Sequence, residues 1–342
     1  VNPVNPPPAA VERSACAKII LCGEHAVVYG RPAIALPLPE LRARAIIEPA
    51  GQPFHILAAD LDRRIDPAAH PDHPLVHVCR LAFDLARPAN PQSPISNLPD
   101  LRARLTLASD IPVSAHLGSS AAVSVACARA VAAFLGRELS PAEASSLAYE
   151  AEKLHHGTPS GIDNTVVAHE APVWFRRSGQ PSTVSGQPPA TSDQPQATSD
   201  QFEVLGAPPK ALPMVIADTG IATPTRVPVG EVRAGWEADP ARYERLFDQI
   251  GQVAAAARAA LAASDWTRLG GLLDANHALL RELGVSCAEL DCLCEAARRA
   301  GALGAKLSGG GQGGNMIALA RDAAHAADVR AALLEAGARR IL

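Results

Sequence analysis

The stretch PVSAHLGSSAAVSVACARAVAAF, residues 112–134, constrains this chain more than any other. A turn of small residues runs straight into an alanine-rich helix pattern, and alanines in such number pack closely against their neighbours. Two readings of the turn stand side by side. Gly118 ends one element and Ser119 or Ser120 caps the next, because a serine hydroxyl satisfies one of the free N–H groups at a helix start. Alternatively the helix start holds a phosphate, since it offers unpaired N–H donors and a partial positive charge, and glycine lets an anion approach the backbone. These residues alone leave both open.

With 342 residues the chain can bury a sizeable core in one large or two moderate domains. Apolar residues make up 48% and aromatics only 4%, so alanine, leucine and valine must build that core. The net charge of −4, with no basic run, argues against nucleic acid as the main partner. No uninterrupted apolar stretch is long enough to span a bilayer. The opening VNPVNPPPAAVERS lacks the basic and apolar parts of a secretion signal and reads as a disordered proline-rich tail. Seven cysteines, at 16, 22, 79, 127, 287, 292 and 294, include no pair with the two-residue gap of a zinc or redox motif. They read as reduced thiols in a cytoplasmic protein.

Along the chain, CAKIILC (16–22) reads as a buried strand, with further strands in RPAIALPL and RARAIIEPA. HPLVHVCRLAFDLA has helical spacing, and LRARLTLASDIPV alternates as a strand does before the glycine–serine turn. A helix follows from about 121 to 135. SPAEASSLAYEAEKLHHG is another, with Ser140 as N-cap, Pro141 in the first turn and Glu143 completing a capping box. TPSGIDNTVVAHEAPVWF reads as a loop running into a strand. Residues 178–201 carry the near-duplicate PATSDQ and QATSDQ and almost no large apolar residue, the composition of a flexible surface insertion. Beyond it LPMVIADTG is a buried strand, and helical patterns cover about 240–263, 266–283, 287–300 and 322–336. The irregular order of strands and helices predicts an α+β protein of two domains. The expected division is a tail over 1–14, a first domain over 15–177, an insertion over 178–208 and a second domain over 209–342.

Three segments concentrate polar residues. In KIILCGEHAVVYG (18–30), Lys18 can snorkel from its strand and Glu24–His25 can be a plain turn pair, yet the group around Gly23 is denser than a turn needs. In EKLHHGTPSGIDNT (152–165), Asp163 can bond its own backbone and Glu152 can be a solvated charge. Acids at a helix end and in the following turn are also the materials of a magnesium ligand and a general base. His155 and His156 lack a third ligand at metal spacing. In SGGGQGGN (308–315), five glycines among eight residues cost much backbone entropy, which favours close approach to a ligand or to the other glycine loop.

In order and spacing these segments resemble the signature motifs of the GHMP small-molecule kinases, and within them most closely the mevalonate kinases. KIILCGEHAVVYG resembles the first motif almost residue for residue. PVSAHLGSSAA resembles the phosphate loop usually written PxGAGLGSSAA, and HGTPSGIDNTV and KLSGGGQGGNMIAL match the catalytic-turn and third motifs. The resemblance runs from about 16 to 340, the 178–201 insertion aside. It implies an N-terminal α+β domain of the ribosomal-S5 type, a ferredoxin-like C-terminal domain and an active site in the cleft between them.

The resemblance also implies roles. ATP phosphates would lie against Pro112, His116, Gly118, Ser119, Ser120 and Ala121, and against Gly309, Gly310 and Gly311. Mg²⁺ would be held by Ser120 and Glu152. Asp163 would be the catalytic base with Lys18 beside it, and Glu24, His25 and Thr225 would face the acceptor, mevalonate. The sequence departs from the motif where Ser114 and His116 replace usual glycines: a non-glycine residue is costly there if φ is positive, and His116 could add a phosphate contact. Asn315 replaces a frequent cysteine. The expected partners are thus ATP and mevalonate, with neither nucleic acid nor membrane, and a homodimer is compatible with the sequence. Other readings are a phosphomevalonate kinase, a mevalonate-diphosphate decarboxylase, or a nucleotide-binding relative without turnover. The Lys18–Asp163 pair speaks against the last, because binding ATP requires neither residue.

Overall fold

Strong local signals set most of the helices. The computed structural model describes residues 10–87, 97–112, 116–156, 159–177 and 201–342, with the side chains of 155 and 156 outside the description. The chain forms two compact units. Unit 1 takes residues through Ile19, then Pro37 to the phosphate loop, then Leu117–Ala171; unit 2 takes Ile20–Leu36, His116 and the described chain from Pro172 on. The division is therefore not a single cut near residue 177. The long strands β1 (Val11–Cys22) and β2 (Pro32–Pro49) pass from one unit into the other.

In unit 1, β3 (His55–Ala58), β4 (Arg63–Ile65) and β5 (Ala103–Ser109) join β2 in the order β4-β3-β5-β2. The β3–β5 pair is parallel and the others are antiparallel, and β1 pairs with β2. Four helices accompany this sheet: α1 (Pro74–Ala86), α2 (Ser119–Phe134), α3 (Pro141–His156) and α4 (Ile162–His169). Helix α2 packs against the other three. Ala121, Ala122, Ala126, Ala128, Ala130 and Ala132 are all fully enclosed, so the alanine run is the contact surface of a central helix. The capping box of α3 forms as expected: Ser140 Oγ accepts from Glu143 N at 3.2 Å while the Glu143 carboxylate accepts from Ser140 N at 2.8 Å.

In unit 2, Pro32–Ala35 of β2 pairs with β6 (Val173–Arg176), which pairs with β7 (Gln201–Val204). A separate antiparallel sheet has the order β11-β8-β10-β9, from β8 (Met214–Asp218), β9 (Gly304–Ser308), β10 (Asn315–Leu319) and β11 (Arg340–Ile341). Its helices are α5 (Arg226–Ala238), α6 (Pro240–Ala263), α7 (Trp266–Glu282), α8 (Ala288–Arg299) and α9 (Ala323–Glu335). Aspartates cap three of them: Asp239, Asp265 and Asp322 accept from Arg242, Arg268 and His325 N.

Four expectations change. Strand β1 begins at Val11, so residues 11–14 are not tail; residues 1–9 lie outside the described residues. Residues 201–208 are not all insertion, because β7 pairs through its backbone (Phe175 opposite Phe202) although its four side chains are exposed. The rest of the expected insertion, 178–200, lies outside the described residues. The segment TPSGIDNTVVAHEAPVWF, expected as a loop running into a strand, holds helix α4 before β6: Gly161 takes φ +89° as its cap, Thr165 Oγ1 donates to Gly161 O at 2.7 Å, and Ile162, Val166 and Val167 give it a buried face. Helix α5 carried no clear signal, since Gly230 and Gly235 dilute its propensity and Pro228 sits in its first turn, where proline is tolerated. Among the described residues no helix is long and apolar enough to cross a membrane.

Candidate active site

In unit 1 the candidates Lys18, Asp163 and Gly118 meet at the start of α2. Lys18 lies on β1, where its backbone N donates to Leu117 O at 2.9 Å, tying the strand to the residue before Gly118. Its side chain is buried, and Nζ reaches Asp163 Oδ1 at 3.0 Å. Asp163 is the second residue of α4 and its side chain is 36% exposed. The lysine stem crosses Gly118 so closely that a Cβ there would stand 2.8 Å from Lys18 Cγ. Gly118 also has φ +72° and is the residue from which α2 starts, with no side-chain cap. Both facts demand glycine. Ser119, Ser120 and Ala121 are the first three residues of α2, so their N–H groups are the ones a helix start leaves for an outside acceptor. Of the two readings of this turn, serine capping is therefore not the one the chain uses.

Glu152, on α3, is buried to 4% exposure. The Ser120 hydroxyl and the Glu152 carboxylate make an all-oxygen donor set, the kind magnesium takes alongside nucleotide phosphates. Among the described residues no group of three or more His, Cys, Asp or Glu forms a cage for a resident metal. Pro112 is half-buried at the edge of the described loop, and Ser114 lies outside the described residues.

Unit 2 gathers the remaining candidates around Gly310. Close backbone approach fixes the turn bearing Glu24 and His25: a Cβ on Gly23 would stand 2.5 Å from Ala33 Cα and Pro32 O. His25 is held at φ +60°, and its Nε2 donates to Gly310 O at 2.9 Å. Burial lowers its pKa from 6.5 to about 4; the Gly310 hydrogen bond works against that fall, and His116 and Lys306 add smaller lowering contributions. The ring is neutral at pH 7. Tyr29 anchors the far end of this turn, stacking on Phe247 of α6 with ring centroids 4.1 Å apart. A Cβ on Gly310 would meet Thr225 Cγ2 at 3.4 Å and His116 Cε1 at 3.6 Å, so Thr225, at the start of α5, and both histidines surround one glycine.

His116 has φ +56°, the strained case. Its Nε2 donates to Thr223 O at 2.6 Å, and its side chain lies against Gly309 and Gly314, where an added Cβ would stand 2.9 Å from His116 Cβ and 2.8 Å from its Nδ1. The glycines of the third motif therefore make room for the first glycine loop.

Glu24, an acceptor-side candidate in the sequence, is buried with both oxygens engaged. Oε1 pairs with Lys306 Nζ, and Oε2 accepts from Asn276 Nδ2 at 3.1 Å. Lys306 and Asn276 are fully buried, and neither was singled out from the sequence. Lys306 stands in the apolar run GAKLS, and a lysine on a fully buried strand is the signal that could have found it. Asn276 carries no such signal within α7. Ser308 completes the arrangement, donating to Ile20 O at 2.9 Å while accepting from Ile20 N at 3.2 Å.

Comparison with known proteins places this geometry. The family models described as "GHMP kinases N terminal domain" and "GHMP kinases C terminal" match residues 82–169 and 257–339. A mevalonate kinase of Pyrococcus horikoshii is 35% identical over 325 residues, covering 90% of this chain and 88% of its own length. One from Thermococcus sibiricus is 34% identical over 323 residues with the same coverage. The crystal structure of L. major mevalonate kinase in complex with R-mevalonate superposes with a TM-score of 0.77 at 28% identity, covering 99% of this chain and 97% of that one. Streptococcus pneumoniae phosphomevalonate kinase, at 16% identity and TM-score 0.73, covers 98% of both chains and shares the fold. The first family match takes in the start of α2 and Asp163, the second takes in the third glycine loop, and with relatives aligned over nine-tenths of its length this chain belongs to the mevalonate kinase family of GHMP kinases.

Proposed function

We propose that the chain transfers the γ-phosphoryl group of ATP to the 5-hydroxyl of mevalonate, giving 5-phosphomevalonate. The observation that carries this reading is the Lys18–Asp163 pair at 3.0 Å beside the start of α2. A kinase of this kind needs a base for the hydroxyl proton and donors for the phosphates, and little covalent help. The hydroxyl oxygen attacks the γ-phosphorus, its proton passes to the Asp163 carboxylate, the bond to the β,γ-bridging oxygen breaks, and ADP leaves. Half-exposed Asp163 can meet an acceptor. Lys18 supplies the positive charge beside it.

The N–H groups of Ser119, Ser120 and Ala121 would cradle the phosphates at the helix start, with Gly309, Gly310 and Gly311 as further backbone contacts. Ser120 and Glu152 would hold Mg²⁺, which supplies charge neutralisation on the phosphates when bound. His25 and Thr225 would bind the acceptor. All seven cysteines are free thiols, which fits a reducing compartment such as the cytoplasm.

The test compares kcat/KM for mevalonate, phosphomevalonate and homoserine at saturating MgATP. Mevalonate should be preferred by orders of magnitude. An acceptor already phosphorylated brings roughly two extra negative charges. Lys306, the buried cation whose charge is felt at His25, is already paired with Glu24, and a charge bound without a partner is penalised. Preference for phosphomevalonate would overturn the assignment of the acceptor.

A further inference from the structure

The buried ion pair under the His25 turn has no role in the phosphoryl transfer described above. Lys306 and Asn276 are fully enclosed, and Glu24 is almost so. Burying two opposite charges is costly unless geometry is good and the remaining polar atoms are satisfied. Here Glu24 divides its oxygens between Lys306 and Asn276, and Lys306 Nζ also donates to Leu307 O at 2.5 Å. The next residue, His25, sits at φ +60°, a strained conformation that persists only when its surroundings impose it. Its ring is then fixed by one hydrogen bond to Gly310 O, four residues beyond Lys306.

We infer that Lys306, Glu24 and Asn276 form a sealed clamp that positions His25 for the acceptor, anchoring the strained turn to β9 and α7 so that the imidazole meets Gly310 in one orientation. All three are positioning residues. None need touch either substrate. The inference rests on the reading of His25 as an acceptor contact.

Steady-state kinetics on the full chain test it. Lys306→Met should raise KM for mevalonate about 10- to 100-fold, the scale of a displacement near 1 Å in a positioned group, while KM for ATP changes less than twofold. Asn276→Leu, which keeps the ion pair, should raise the same KM severalfold. If Lys306→Met does not fold, the charge-neutral double variant Lys306→Met/Glu24→Gln carries the same expectation. The His25 Nε2–H proton resonance should also shift in each variant, as the Gly310 hydrogen bond loosens. An acceptor KM within twofold of wild type in the folded variants overturns the inference, as does an equal rise in both KM values. If the wild-type chain itself fails to use mevalonate, it is the functional reading that falls, and the His25 resonance then decides the clamp alone.

Discussion

Lys18 with Asp163 and Lys306 with Glu24 are the same chemical pair in two settings. In unit 1 the lysine side chain is 4% exposed and its carboxylate 36%; in unit 2 the figures are 0% and 2%. A carboxylate open on one side can exchange a proton with a bound hydroxyl. One whose two oxygens are both engaged inside the protein can only hold its neighbours in place. Exposure, more than residue type, separates the pair proposed to react from the pair proposed to fasten, and each predicts a different loss when broken.

Breaking the open pair should cost rate. Asp163→Asn keeps the side-chain shape and an acceptor for Lys18, so melting temperature and ATP affinity should stay near wild type. Turnover should fall on the order of 10²–10⁴-fold, the contribution of a positioned base. Single-turnover kinetics with isothermal titration of ATP would read both quantities. Turnover close to wild type would end the assignment of Asp163 as the base.

Breaking the sealed pair should cost stability. Lys306→Met leaves a buried Glu24 charge without its cation, a loss of about 3–5 kcal/mol. The double variant Lys306→Met/Glu24→Gln should recover most of it, because no bare charge remains. Thermal melts of both would show the difference, and equal destabilisation of single and double variants would mean that the pair is not the fastening it is taken for.

The two pairs were not equally legible in the sequence. Lys18, Asp163, Gly118 and Glu152 stand in short motifs that carry the resemblance to the family, so they could be named as candidates before any fold was known. Helices α3, α6 and α7 were equally plain, the first from the Ser140 capping box and the others from the helical patterns over about 240–263 and 266–283. Lys306 and Asn276 meet Glu24 across some 250–280 residues of chain, and no local pattern records a contact that distant. Helix α4 was hidden by its own start, since Pro159, Ser160 and Gly161 look like a turn whether or not a helix follows. The long strands β1 and β2 were read as strands, but their passage through both units is a tertiary fact that composition could not carry.

Acid should weaken the surroundings of the sealed pair. The two most depressed histidines among the described residues, His25 and His277, both lie in unit 2 and both are lowered to about 4, chiefly by burial. His277 accepts from Leu307 N at 3.3 Å and faces Asp291 at 3.2 Å, so it too is built into the frame around Lys306. Above pH 6.5 both rings are neutral, folded or unfolded, and contribute no pH dependence. As pH falls from 6.5 towards 4 the unfolded chain takes up protons that the native rings refuse, so stability drops; below about 4 the loss levels off. Each histidine accounts for up to about 3 kcal/mol. Urea midpoints between pH 7 and 4 should show this slope, and His277→Gln should flatten part of it. A flat profile across that window would show that neither ring is held neutral.

The smallest effect should come from His116, which stands where the family usually has glycine. Its φ of +56° stores strain that glycine would relieve, on the order of 1 kcal/mol. Glycine would also lose the hydrogen bond to Thr223 O and the packing of the ring on Gly309 and Gly314, which together weigh against that relief by about the same amount. His116→Gly should therefore move stability by less than about 1 kcal/mol in either direction. With Nε2 donating to a backbone carbonyl, the ring is placed to join two glycine loops more than to add charge at a phosphate. ATP affinity in the variant should then follow the wild-type pH profile. Titrations of ATP from pH 5.5 to 8 distinguish the roles: if wild-type affinity falls as pH rises through 6.5 and the variant loses that dependence, the imidazole contacts phosphate after all. If the two profiles coincide, His116 serves unit 2 as a brace, and only the open pair and its helix start remain to meet the nucleotide's charge from unit 1.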